Sequence, residues 1–200
     1  MTHPKKERTF FAVKNDGVQR SLVGEIIKRF ERVGLKIVAM KMFVPDKDRT
    51  IKHYDKDDAW CIKVGERTIE ALKKHGDEPK KEAIEYGKET LEQLYNYFTS
   101  GPIVAMVIEG NQAVGVVKKL VGGTEPLSSD VGTIRGDFTL DSYEISNLDG
   151  RAVRTIVHCT DDVNEAEREI NIWFNPEELI DYRLVQEEIL YDVNLDGILE

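Results

Sequence analysis

Apolar side chains follow one another without polar alternation at residues 9 to 14, TFFAVK, an aromatic and branched run that predicts a buried strand. A turn is predicted at Asn15-Asp16-Gly17. From Ser21, the predicted N-cap, Leu22, Val23, Ile26, Ile27, Phe30 and Val33 recur at helical spacing, and Gly34 closes that helix. Residues 35 to 44, LKIVAMKMFV, predict a second strand stopped by Pro45. The run PIVAMVIEG, 102 to 110, predicts a third, followed by a helix through Ala113, Val116, Val117, Leu120 and Val121 that stops at Gly122-Gly123. A polar, turn-rich stretch, TEPLSSDVGTIRGDF, leads to a fourth strand, RTIVHCT. The last core helix starts at Asp161 or Asp162, with Glu165 spaced from Asp162 for a capping box.

The resulting order, βαββαβ, predicts an α/β (α+β) protein with a ferredoxin-like antiparallel sheet and helices packed on one face. Two segments lie outside that plan. Residues 56–99 carry Ile84, Gly87, Leu91, Leu94, Tyr95 and Phe98 at helical steps and predict a helical insertion of one or two helices, broken around His75-Gly76 and Pro79. Residues 140–151, with the turn signal Asp149-Gly150, predict a small hairpin or loop insertion. The length of 200 residues suits a single domain.

Charge narrows the partners. A net charge of -9 excludes a protein whose main business is gripping nucleic acid, which needs a basic face, but leaves a local cationic pocket for small phosphorylated ligands open. The chain shows neither a signal-peptide pattern nor an apolar run of ~20 residues, so the expectation is a soluble cytoplasmic protein with no membrane partner. Cys61 and Cys159 are too few for a disulfide framework and lack zinc-ligand spacing. Cys159 reads as a small buried residue.

His158 is the candidate nucleophile. It ends the apolar run Thr155-Ile156-Val157 and precedes Thr160, Asp161 and a helix N-terminus, whose N–H groups and dipole favour phosphate. A neutral imidazole is a competent nucleophile at cellular pH. His3, His53 and His75 stand among charged residues and read as solvated. Asp192, Asn194, Asp196 and Gly197 imitate half of a calcium loop, but the chain stops at Glu200 before the twelfth-position carboxylate, so they read as an acidic tail.

Several long words, taken together and in order, resemble the nucleoside diphosphate kinase family: ERTFFAVKNDGVQRSLVGEIIKRFERVGLKIVAMK, SGPIVAMVIEG, GTIRGDF and HCTDDVNEAEREINIWFNPEELIDY. The resemblance runs through residues 7 to 44, 100 to 140 and 152 to 182. It implies a ferredoxin-like fold and ping-pong transfer of the γ-phosphoryl group from a nucleoside triphosphate, typically ATP, to a nucleoside diphosphate. His158 stands at the family's phosphorylated position. Lys14, Tyr54, Thr124 and Arg135 stand where residues surround the phosphates, and Glu169 where a carboxylate orients the histidine. Trp60 is the candidate for stacking on the base. The resemblance also implies Mg²⁺, held mainly by nucleotide phosphates and water with Asp161 acting through water, broad base use, and a homo-oligomer, hexamer or tetramer.

The chain departs from the family's pattern at several points. Lys118 stands for the usual arginine, Thr155 for asparagine, Thr160 for serine and Asn15 for proline. Lysine keeps the charge and loses the bidentate fork, and threonine is too short for some ribose contacts, so altered nucleotide binding is expected. These departures support a second reading, a nucleotide-binding or assembly protein of the same fold with weak or no turnover. His158 together with Lys14, Tyr54, Arg135 and Glu169 favours the enzyme. A ferredoxin-like RNA-binding module fits the topology but not the acidity.

Overall fold

The structure, a computed structural model, describes residues 6–196, so His3, Gly197 and Glu200 lie outside it. Strands β1 (Glu7–Val13), β2 (Lys36–Phe43), β3 (Ile103–Gly110) and β4 (Val157–Cys159) form one antiparallel sheet in the order β2-β3-β1-β4. The predicted ferredoxin-like order is therefore present. The helices cover both faces, however, and not one. Side chains of both parities in β1 and β3 are apolar, so each face must be buried.

Phe11, Val13, Met106 and Ile108 pack on one face against Ile26 and Phe30 of α2 (Val23–Glu31) and Val117 and Val121 of α6 (Ala113–Val121). Phe10, Ala12, Ala105 and Val107 pack on the other against Phe98 and Trp173. Those two belong to α5 (Ala83–Thr99) and α9 (Val163–Trp173), and Tyr54, from the end of α3 (Lys47–His53), joins them.

Local chemistry moves several boundaries. The predicted turn at residues 15 to 17 is a short helix, α1 (Asn15–Gln19), continued by bonds from Val18 N to Lys14 O at 3.0 Å and Arg20 N to Asp16 O at 3.1 Å. Ser21 is not a cap: it has φ of 58°, and α2 begins behind Leu22 without a side-chain cap. Strand β4 is shorter than RTIVHCT because Ile156 has φ of 60°. That conformation costs a β-branched residue roughly 1–3 kcal/mol. It persists because Lys14 N donates to Ile156 O at 2.9 Å and Ile156 N donates to Tyr97 Oη at 3.3 Å. Asp162 does cap α9, accepting from Asn164 N and Glu165 N, but the return half of the box is missing because Glu165 pairs with Arg168 at 2.8 Å.

Residues 56–99 hold two helices, α4 (Asp58–Lys74) and α5, broken where His75-Gly76 and Pro79 predicted. They pack so closely that a Cβ at Gly65 would overlap the Ala83 carbonyl and one at Gly87 the Cys61 carbonyl. Residues 140–151 form neither hairpin nor bare loop. Ser142 Oγ accepts from Ile145 N at 3.2 Å and starts a helix, α8 (Tyr143–Leu148). A short α7 (Ile134–Phe138), capped by Thr133, interrupts the turn-rich stretch before it, and α10 (Glu187–Leu190) lies near the end.

Candidate active site

A cavity of about 460 Å³, within the ~300–1,000 Å³ range of small-molecule sites, opens between the end of the sheet and the α4–α5 pair. Lys14, Tyr54, Arg135 and His158 line its inner end. Register explains the grouping. His158 is paired with Ala12 across β1 and β4, which puts its side chain on the sheet face that α3, α5 and α9 cover.

Glu169 on α9 then lies within reach: its Oε2 is 2.9 Å from His158 Nε2 and accepts from Thr160 Oγ1 at 2.6 Å. Burial alone would raise the Glu169 pKa, but the charge and hydrogen bond of His158, the charge of His53 and the Thr160 hydroxyl outweigh it and hold the carboxyl at about 2. An ionised carboxylate only accepts, so the shared hydrogen sits on Nε2 and the lone pair on Nδ1, the ring nitrogen left for a ligand.

Lys14 follows β1 directly and is buried. Its Nζ donates to Thr155 Oγ1 at 2.9 Å and lies 4.7 Å from the centre of the Tyr97 ring. Burial, then the charge of Arg135, pulls its pKa down to about 7. Arg135 on α7 is also buried, and its guanidinium donates to main-chain oxygens: Gly123 O at 2.8 Å, Val157 O at 3.2 Å and Thr155 O at 3.3 Å. The planar fork expected to grip two phosphate oxygens is thus largely used to tie the 122–123 turn to the entry of β4. What remains toward the cavity is chiefly a fixed positive charge.

Tyr54 is buried edge-on to the His158 ring, with centroids 6.0 Å apart, and its hydroxyl lacks a hydrogen-bond partner among the described residues. Burial pushes its pKa far above the ordinary phenol value. Thr124, Trp60, Lys118, Thr155 and Asp161 also line the cavity. Lys118 and Asp161 form an ion pair with each other there. Thr160, expected to touch the ligand, does not line the cavity; its hydroxyl is spent on Glu169 and on Phe10 O at 3.3 Å.

His53 corrects the solvated reading. It is buried, its ring centroid lies 4.4 Å from that of His158, and it stacks on Phe98 at 5.2 Å. Trp173 Nε1 donates to its Nδ1 at 3.2 Å. Burial, followed by the charge of His158, drives its pKa well below the usual imidazole value, so it braces the nucleophile as a neutral ring. Its charged neighbours in sequence, Lys52 and Asp55, gave it the look of a surface residue, and no pattern in the string marked it as buried. His75 is not simply solvated either: its Nε2 is 2.8 Å from Glu144 at the outer end of the same cavity. Arg67, Tyr143 and Asn147 line that outer end and carried no signal in the sequence. Cys159 is buried and burial pushes its thiol pKa up, in keeping with a packing residue.

Sheet order, two covered faces and an imidazole backed by a buried carboxylate beside two buried cations define the class: a ferredoxin-like α+β protein with a site built for an anionic ligand. The chain belongs to the nucleoside diphosphate kinase family, whose profile matches residues 7–60 and 66–179. The nucleoside diphosphate kinase of Pyrobaculum aerophilum is 43% identical over 180 residues, covering 88% of this chain and 98% of the relative. Nucleoside diphosphate kinase A of Canis lupus familiaris is 39% identical and covers 93% of this chain and 97% of its own length. Among solved structures, the crystal structure of the Pyrobaculum aerophilum NDP kinase superposes with a TM-score of 0.84 at 41% identity, covering 88% of this chain and all of that one (100%). A transition-state mimic of the Borrelia burgdorferi enzyme, with bound vanadate and ADP, superposes with a TM-score of 0.75 at 33% identity, covering 92% of this chain and 96% of that one.

Proposed function

We propose that this chain, a nucleoside diphosphate kinase, works by a ping-pong route through His158. The Nδ1 lone pair attacks the γ-phosphorus of a nucleoside triphosphate, an Nδ1–P bond forms, the bond to the bridging oxygen breaks, and the nucleoside diphosphate leaves with that electron pair. A second nucleoside diphosphate then attacks the phosphohistidine and takes the phosphoryl group. Throughout, Nε2–H stays bonded to Glu169, so the imidazole enters and leaves the cycle in the same tautomer.

The observation that carries this reading is the Nε2 contact to an ionised Glu169 at 2.9 Å, which reserves Nδ1 for phosphorus. Arg135 supplies a positive charge fixed before the ligand arrives, and Lys14 adds a second as the phosphate oxygens favour its charged ammonium. The Tyr54 hydroxyl, buried and unpartnered among the described residues, donates to a phosphate oxygen. Thr124, Thr155 and Lys118 hold the remaining phosphate and sugar oxygens, and Trp60 stacks on the base.

The donor set suits a hard divalent cation such as Mg²⁺ only weakly by itself. Asp161 is the carboxylate at the inner end and is already paired with Lys118. A bound Mg²⁺ would be held mainly by nucleotide phosphates and water, with Asp161 the residue that would reach it through water, and it would supply neutralisation of phosphate charge. No helix among the described residues is long and apolar enough to cross a membrane, and the expected setting is the cytoplasm.

Labelled ATP with Mg²⁺ tests the reading directly. The expected product is an acid-labile, base-stable phosphoenzyme that passes its label to added GDP and is absent in His158→Ala. The engaged fork of Arg135 and the Lys118–Asp161 pair favour the competing reading, a nucleotide-binding or assembly protein without turnover, and an unlabelled intact protein would establish it.

A further inference from the structure

Three segments meet at one hydroxyl behind the site. Tyr97, in the last turn of α5, donates from Oη to Asp16 Oδ1 at 2.8 Å on α1 and accepts from Ile156 N at 3.3 Å at the entry to β4. The face of the same ring lies 4.7 Å from Lys14 Nζ. Tyr97 does not line the cavity, so none of these contacts is made for the ligand.

Each contact reaches a residue close to the chemistry. Ile156 stands two residues before His158 and directly after Thr155, whose Oγ1 accepts from Lys14 Nζ at 2.9 Å. Its φ of 60° is a strained conformation that needs partners outside the strand. Asp16 stands two residues after Lys14. Because Lys14 is buried, the state of its amine depends on what surrounds Nζ: burial and then the charge of Arg135 on α7 oppose the ammonium, while Asp16 and then Cys159 on β4 favour it. His53 on α3 feels the Lys14 charge but is itself neutral. The stronger favourable influence is thus the carboxylate that Tyr97 holds, and an aromatic face adds its own attraction for a cation. A second tie, from Asn15 Nδ2 to Ser100 Oγ, joins the start of α1 to the end of α5 independently of Tyr97.

We infer that Tyr97 is a positioning residue for phosphoryl transfer, which keeps the Lys14 ammonium charged and in place through its ring face and through the Asp16 carboxylate that its hydroxyl fixes. This role rests on Lys14 meeting the phosphates. Tyr97 touches no reacting atom, so its whole effect passes through Lys14. Its loss therefore changes where Lys14 gives up its proton, whereas a merely structural residue would lower activity equally at every pH.

The test is the pH profile of kcat/KM for phosphoenzyme formation from labelled ATP with Mg²⁺. That ratio reports the free enzyme, and Lys14 acts when protonated, so kcat/KM in the wild type falls as pH rises through about 7. In Tyr97→Phe the Asp16 carboxylate is released, and the alkaline limb is expected to move to lower pH by about half a unit, less than the ~1–3 units that a directly adjacent opposite charge supplies. The loss is then about threefold at pH 8 and small at pH 6. Asp16→Asn moves the limb the same way, and the double variant moves it no further than Asp16→Asn alone, because both changes act through one carboxylate. Tyr97→Leu, which also removes the ring face, moves it further. A limb that stays in place in Tyr97→Phe and Asp16→Asn, with activity kept or lost uniformly, overturns the role of Tyr97. Lys14→Arg separates that failure from the other: a limb absent there but unmoved in Tyr97→Phe removes Tyr97 alone, whereas a limb that survives in Lys14→Arg belongs to another group and removes the Lys14 reading together with the role of Tyr97.

Discussion

Lys14 shows how burial converts an ordinary side chain into a sensor of its ligand. In the unfolded chain it holds its proton to about 10.5, and in the folded protein it releases it near 7, so between those values the unfolded state binds more protons and stability rises with pH. Phosphate oxygens beside Nζ reverse the imbalance by favouring the charged ammonium. ADP binding at pH 8 is therefore expected to take up a proton, approaching ~1 per nucleotide, and titration calorimetry in buffers of different ionisation enthalpy measures it. Lys14→Arg, charged at all accessible pH, should abolish the uptake. No uptake in the wild type would mean that Lys14 does not meet the phosphates.

Residue identity was largely legible at this scale, because Lys14, Tyr54, Arg135 and His158 sit in recognisable words. What those words hide is hydrogen bonding. Nothing in the string GTIRGDF reveals that Arg135 is tied to Gly123 O, Val157 O and Thr155 O, or that Thr160 serves Glu169 and not the ligand. His53 was missed because its charged neighbours in sequence, Lys52 and Asp55, point away from the aromatic shell that encloses it.

Among the elements, the long periodic helices and three of the strands followed from apolar spacing, while the short elements did not. The helices α1, α7 and α8 have five, five and six residues, too few for periodicity to rise above turn chemistry, and two of them exist through one cap, Thr133 or Ser142. Strand β4 is shorter than its apolar run because composition is blind to the positive φ at Ile156. In the sequence Gly87 is only one member of the helical stripe of α5. Its function is proximity: α5 rests directly on the Cys61 carbonyl of α4. Gly87→Ala must push the helices apart, with an expected loss of ~1–3 kcal/mol in chemical denaturation, the usual penalty for overpacking. Because α4 carries Trp60 and Arg67 into the cavity, the same variant should raise KM for nucleoside diphosphates. An unchanged denaturation midpoint would show that the pair has slack there.

For the whole molecule, the sheet leaves one long edge to explain. Strand β2 is terminal in the sheet order, and the chain near its C-terminal end covers its first half, with Ile180 N donating to Val38 O at 2.8 Å and Tyr182 Oη to Ile37 O at 2.9 Å. Past that cover, Met40, Met42 and Val44 are 55%, 61% and 61% exposed. An apolar strand edge of this kind is a template for pairing, and an antiparallel edge can pair with its own copy about a two-fold axis, closing the contact. The expected state is a homo-oligomer built from such dimers, a tetramer or hexamer. Sedimentation velocity at micromolar concentration should report that mass for the wild type and a lower one for a Met40→Lys, Met42→Lys double variant. Lys14, Arg135 and His158 lie together on one chain, so the dissociated variant should still accept label from ATP at His158. A monomeric wild type would remove the role assigned to this edge and leave the exposed methionines without an explanation.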